Sequence, residues 1–118
     1  MNDKTTLSTE TLEDGLVIVR INGDLDSLGT HMVEKAFNQA VSERDTRALV
    51  DLHRVGFISS AGMAMLLVKG KSLRQTGGNM YLAGASKRVL EVLSMAGFNE
   101  LFDMFPTVDE ALAALQAT

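Results

Sequence analysis

The sequence predicts an α/β fold: a mixed sheet of four or five strands carrying about four helices, with residues 1–118 forming a single domain. Three observations lead there. Two β-rich runs near the start, residues 5–12 and 16–22, are joined through Glu13-Asp14-Gly15, and an Asp-Gly pair supplies the positive-φ residue that a tight antiparallel hairpin needs. After them, Val33, Ala36, Phe37, Ala40 and Val41 recur at the i, i+3, i+4, i+7, i+8 spacing of an amphipathic helix. The chain then returns to a short apolar run at residues 48–52, and a strand, helix, strand succession implies a crossover with parallel neighbours.

Composition bounds the function classes. An apolar content of 46% excludes a disordered chain, and 118 residues suit one core. Eleven basic against 15 acidic residues leave a net charge of -4, which argues against nucleic-acid or anionic-membrane binding through bulk charge. The absence of cysteine removes disulfides, thiolate metal sites and cysteine nucleophiles. Residues 1–10 are polar and no apolar run approaches about 18 residues, so neither a signal peptide nor membrane insertion is expected and the cytoplasm is the expected location.

Taken in order, the second β-run has Val17, Val19 and Ile21 on one face with Leu16 and Ile18 on the other, so it is expected to be more central than the first, which becomes the edge. Asp24 and Asp26 sit in a turn-rich link, where two carboxylates with no third ligand cluster read as loop or helix-start residues rather than a metal site. The first helix spans residues 30–44 and the second 61–75. Gly70, inside the second, costs about 1 kcal/mol against alanine unless a neighbouring backbone approaches closely there, and such an approach is expected. Gly77-Gly78 ends that helix and residues 80–83 read as a strand. Ser86 caps a third helix that stops at Gly97. Residues 101–105 are a short last strand, and Thr107-Val108-Asp109-Glu110 is a capping box opening the last helix.

The segment from Val50 to Val68 is the one around which the rest is arranged. A buried strand runs through a short loop into a helix and leaves Ser59 and Ser60 at the junction. Either hydroxyl can cap the helix, and both lie at the positive end of its dipole, where an anion such as phosphate meets free N–H groups. Between residues 61 and 68 the helix is apolar all round, with Ala61, Met63, Ala64, Met65, Leu66, Leu67 and Val68. Full enclosure of such a helix is hard in a small chain, so part of it is expected to meet a partner. Methionines that fill gaps in a core remain the alternative there.

Enzyme motifs fail on spacing. Gly70-Lys71-Ser72 imitates the end of a phosphate-binding loop, but Met65 stands where the earlier glycine belongs. Ile58 stands where the first glycine of a nucleophile elbow belongs, so Ser60 is not such a nucleophile. His53 lies near the serine loop, and a general base there competes with an ordinary surface histidine. No catalytic residue, cofactor or metal ligand is assigned.

Asp51-Leu52, Val55, Phe57-Ile58, Ser60 and Gly62-Met63, together with Gly23 to Asp26 and the stretch from Gly84 to Phe98, resemble the STAS family of anti-sigma factor antagonists. The likeness runs from about residue 14 to residue 115. It implies a non-enzymatic partner switch that binds a serine-kinase anti-sigma factor, with a phosphatase as a further partner, and that is phosphorylated at Ser60. Ser59, Ser60, Ala61, Met63, Ala64 and Met65 are the residues expected to contact the partner. Family members usually carry aspartate, serine and then serine or threonine where this chain has Ser59, Ser60 and Ala61. The missing carboxylate leaves Ser59 open as the modified residue. It also leaves open a constitutive structural role in a signalling scaffold or a membrane transport complex, without phosphorylation.

Overall fold

A computed structural model describes residues 4–42 and 44–116. Residues 1–3, 43 and 117–118 lie outside them, and with those the start of the polar opening segment and the outermost bounds expected of the domain. Five strands, β1 (Thr6–Thr11), β2 (Val17–Asn22), β3 (Arg47–Arg54), β4 (Asn79–Ala83) and β5 (Met104–Phe105), form one sheet in chain order. β1 and β2 pair antiparallel, Thr11 opposite Val17, while β2 with β3, β3 with β4, and β4 with β5 are parallel. The hairpin turns at Gly15, whose φ of 89° is the conformation that the Asp-Gly pair was expected to supply.

Side chains alternate between two unequal cores, as the period of two requires. Val19, Ile21, Val50, Leu52, Met80 and Leu82 face the larger core, where they meet α1 (Ser27–Ala40), α2 (Ser60–Gln75), α3 (Lys87–Met95) and α4 (Phe98–Leu101). Leu16, Ile18, Leu49 and Ala83 face the smaller one beneath α5 (Val108–Leu115). β3 is central and covered on both sides, so five consecutive residues from Ala48 to Leu52 are buried. That explains the apolar run in its sequence, interrupted only by Asp51.

Three expectations need correction. α1 begins at Ser27, not near residue 30, because the carboxylate of Asp26 accepts the Gly29 N–H at 2.7 Å and starts the helix early. It also ends at Ala40, short of residue 44. Gly97, at φ 86°, stops α3 as expected, but the chain then makes one further helical turn, α4, that its four residues are too short to announce. At Gly70 the close neighbour is not backbone: a Cβ there would stand 2.5 Å from Cζ of Phe102 and 2.9 Å from Cε of Met80. The Phe102 ring is held by the Arg74 guanidinium above it, 4.6 Å from the ring centroid, whose Nη2 also donates to the Leu101 carbonyl.

Candidate functional site

The carboxyl ends of β2 and β3 continue past the sheet and pair once more. Leu25 and Ile58 form a parallel bridge in which the Leu25 N–H donates to the Phe57 carbonyl at 2.8 Å and the Ser59 N–H donates to the Leu25 carbonyl at 2.9 Å. Leu25 and Ile58 are buried, so the bridge is anchored in the core and fixes where α2 starts.

The two serines divide the available roles. Ser59 is the N-cap of α2: its Oγ accepts the Gly62 N–H at 3.3 Å and donates to the Leu25 carbonyl at 2.8 Å. A hydroxyl can do both at once, whereas a carboxylate can only accept. Serine at this position therefore ties the helix cap to the neighbouring loop. Gly62 completes the joint, because a Cβ on it would lie 2.8 Å from the same Leu25 oxygen. Ser60, by contrast, is the first helical residue and is exposed. Among the described residues its hydroxyl makes no hydrogen bond. No acidic residue occupies the first turn of α2, so the positive end of the helix is uncompensated by its own side chains.

The helix that reads as apolar all round is resolved into two faces. Met65, Leu66, Gly70 and Leu73 are buried, and Met63 is half-buried against the same core. Ala61, Ala64 and Val68 point outward at the i, i+3, i+7 spacing, Val68 with 68% of its surface exposed. Of the six residues expected to meet a partner, Ser60, Ala61 and Ala64 thus share an accessible face. Met65, 6% exposed, fills the core instead and is corrected to a packing residue. Phe57, 47% exposed in the loop before Ser59, lies outside the six residues expected to meet a partner.

His53 does not serve the serine loop. Its Nδ1 lies 2.9 and 3.1 Å from the two carboxylate oxygens of Asp51, on the α5 side of the sheet, whereas Ser60 opens a helix on the other. Asp26 is spent on the α1 cap. Among the described residues no three His, Cys, Asp or Glu side chains gather to hold a metal ion. Nor does any described helix have the length and apolarity to cross a membrane.

A five-stranded mixed sheet whose central strand leads through a short loop into the capped start of a helix is the architecture expected of a STAS domain. The chain belongs to that family: the STAS domain sequence model matches residues 8–111. Its relatives include an anti-sigma F factor antagonist of Paenibacillus polymyxa, 31% identical over 102 residues that cover 86% of this chain and 85% of that one. BtrV of Bordetella bronchiseptica, itself named as a candidate anti-sigma factor antagonist, is 31% identical over 103 residues, covering 87% and 89%. In architecture the chain is similar to the crystal structure of an anti-sigma factor antagonist from Mycobacterium paratuberculosis, with a TM-score of 0.85, 23% identity, and 96% and 95% of the two chains covered. That last likeness speaks to the fold alone.

Proposed function

We propose that this chain is a non-enzymatic partner switch: unmodified, it binds a serine-kinase anti-sigma factor through the start and outer face of α2, and phosphate on Ser60 breaks that complex. The observation that carries the reading is the division between the serines. Ser59 holds the helix and the Leu25 loop together, while Ser60 leaves an unengaged hydroxyl at a helix N-terminus. Membership of the family, and relatives named as anti-sigma factor antagonists, supply the class of partner. A phosphatase in the same cytoplasmic compartment would reset the switch.

The physics of the switch follows from two environments of one charge. A phosphoserine carries roughly -1.5 to -2 charge at pH 7, and at the start of an exposed helix that charge is favourable by about 0.3–1 kcal/mol. The fold therefore tolerates it. At the edge of a drying interface beside Ala61, Ala64 and Val68, the same unpaired charge costs several kcal/mol, and each 1.4 kcal/mol is about tenfold in affinity. A loss of about a hundredfold or more in partner affinity is expected, with a nearly unchanged melting temperature. The test is to identify the kinase that co-purifies with the chain, phosphorylate with ATP, map the site by peptide mass spectrometry, and compare both forms by calorimetry. Phosphate on Ser59, or equal affinity of the two forms, would overturn the reading.

A second reading rests on Ser59 standing where the family usually has aspartate. In it both serines are structural, and the chain is a constitutive STAS subunit of a scaffold or transport complex. Absence of phosphate after incubation with a proven kinase partner selects this reading.

A further inference from the structure

We propose that the cavity between the carboxyl ends of β2 and β3 and the start of α5 binds a free α-amino acid, across the sheet from Ser60 and independently of the partner switch. The cavity measures about 380 Å³ and draws Arg20 from β2, Asp51 and His53 from β3, Gly84 from the end of β4, and Thr107 and Asp109 from the start of α5. Its size falls in the range of roughly 300–1,000 Å³ usual for small-molecule sites, and its position outside the carboxyl ends of parallel strands is where open α/β sheets hold ligands.

The donor and acceptor pattern names the ligand class. Asp51 is 4% exposed, an acidic side chain on the central strand of the sheet. Its Oδ1 accepts the His53 backbone N–H at 3.0 Å and faces the ring Nδ1 at 2.9 Å. Because a carboxylate only accepts, Nδ1 carries the hydrogen, and in the neutral tautomer Nε2 is an acceptor on a side chain that is 55% exposed. Gly84, at φ 77°, holds the pair in place: a Cβ on it would stand 3.0 Å from His53 Cβ and 3.2 Å from Asp51 Oδ1. Thr107 is already engaged, accepting the Glu110 N–H at 3.1 Å as the cap of α5. Asp109, exposed in the first helical turn, adds a second acceptor.

The donor is Arg20. It stands directly across from Asp51 in the β2 and β3 register, yet its Nη2 pairs with Glu10 on the edge strand at 3.0 Å. Both of those side chains are about half exposed, and an ion pair of that kind contributes little, so the guanidinium can turn to a ligand at small cost. A guanidinium takes a carboxylate in a two-point bond. The ammonium of the same ligand supplies the hydrogens that Nε2 of His53 and the Asp109 carboxylate lack. A simple anion meets two carboxylates against one guanidinium and is disfavoured. A simple amine leaves Arg20 unused.

The experiment is an NMR titration of the isotope-labelled chain with each of the twenty common L-amino acids, with acetate and methylammonium as single-charge controls. Saturable shifts are expected at the amides of His53, Gly84, Val108 and Asp109 for at least one amino acid, with a dissociation constant of about 1 mM or tighter. Neither control should match it. Arg20→Gln, at a half-buried position, and Asp109→Asn, at an exposed one, should each weaken that binding at least tenfold while the melting temperature shifts by no more than about 4 °C. No saturable shift for any amino acid, equal binding of either control, or full affinity in both variants would overturn the proposal.

Discussion

Exchanging one hydroxyl at a time at the β3 to α2 junction separates the serine that builds the domain from the serine that is free to be modified. Ser59→Ala removes an N-cap, which costs about 1 kcal/mol, and with it the 2.8 Å bond from Oγ to the Leu25 carbonyl, worth about 1 kcal/mol more. The Leu25 oxygen keeps its bond from the Ser59 N–H, so it is not left without a partner and the sum stays near 2 kcal/mol. For 118 residues at about 2.1 cal/mol/K each, the unfolding entropy is about 250 cal/mol/K, so each kcal/mol lowers the midpoint by about 4 °C. A drop of about 8 °C is expected for Ser59→Ala. Ser60→Ala touches an exposed hydroxyl without a hydrogen-bond partner among the described residues, and should stay within about 0.5 kcal/mol, or 2 °C. Thermal unfolding by circular dichroism at one pH and salt concentration reads both. Equal destabilisation by the two substitutions, or a harmless Ser59→Ala, would refute the division of roles on which the proposed phosphorylation of Ser60 depends.

Three further outcomes follow from particular contacts. Val68→Glu on the outer face of α2 should leave the melting temperature within about 2 °C and weaken partner binding, whereas Met65→Glu, which buries an unpaired charge, should cost several kcal/mol and unfold the chain; paired melting and binding measurements check this. Gly70→Ala gains up to about 1 kcal/mol in helix propensity but drives a methyl group to 2.5 Å from the Phe102 ring, and overpacking of about 1–3 kcal/mol should prevail as a lowered denaturant midpoint. The Asp14 carboxylate is held below its usual range, chiefly by the Leu16 backbone N–H, with Gln116 and Arg47 adding to the effect. Because its folded value is depressed, the stabilisation is present above about pH 4 and is lost as pH falls through the folded value. Asp14→Asn should therefore be less stable than the parent at pH 7, with the gap closing on acidification; a gap that stays constant in melts from pH 7 to pH 3 would contradict it.

The sequence by itself determined what local chemistry controls. Asp14-Gly15 set the hairpin, the apolar run before Ser59 set a strand buried on both faces, and Ser86 and Thr107 marked helix starts through the bonds they make three residues on. It also placed the two serines at a helix N-terminus, because strand, loop and cap each leave their own residue pattern. Tertiary structure decided what depends on a neighbour remote in the chain. Which serine caps is settled by the Leu25 carbonyl, 34 residues away, since only a partner fixed by the Leu25 and Ile58 bridge distinguishes two adjacent hydroxyls. Which side of α2 stays exposed is settled by the sheet beneath it, because an all-apolar stretch carries no periodic signal to orient it. Gly70 owes its place to the ring of Phe102, and Asp51 meets Arg20 only through strand register. In each case the residue type was legible while its partner was not, because contact is a property of the packed chain and periodicity only of the local one.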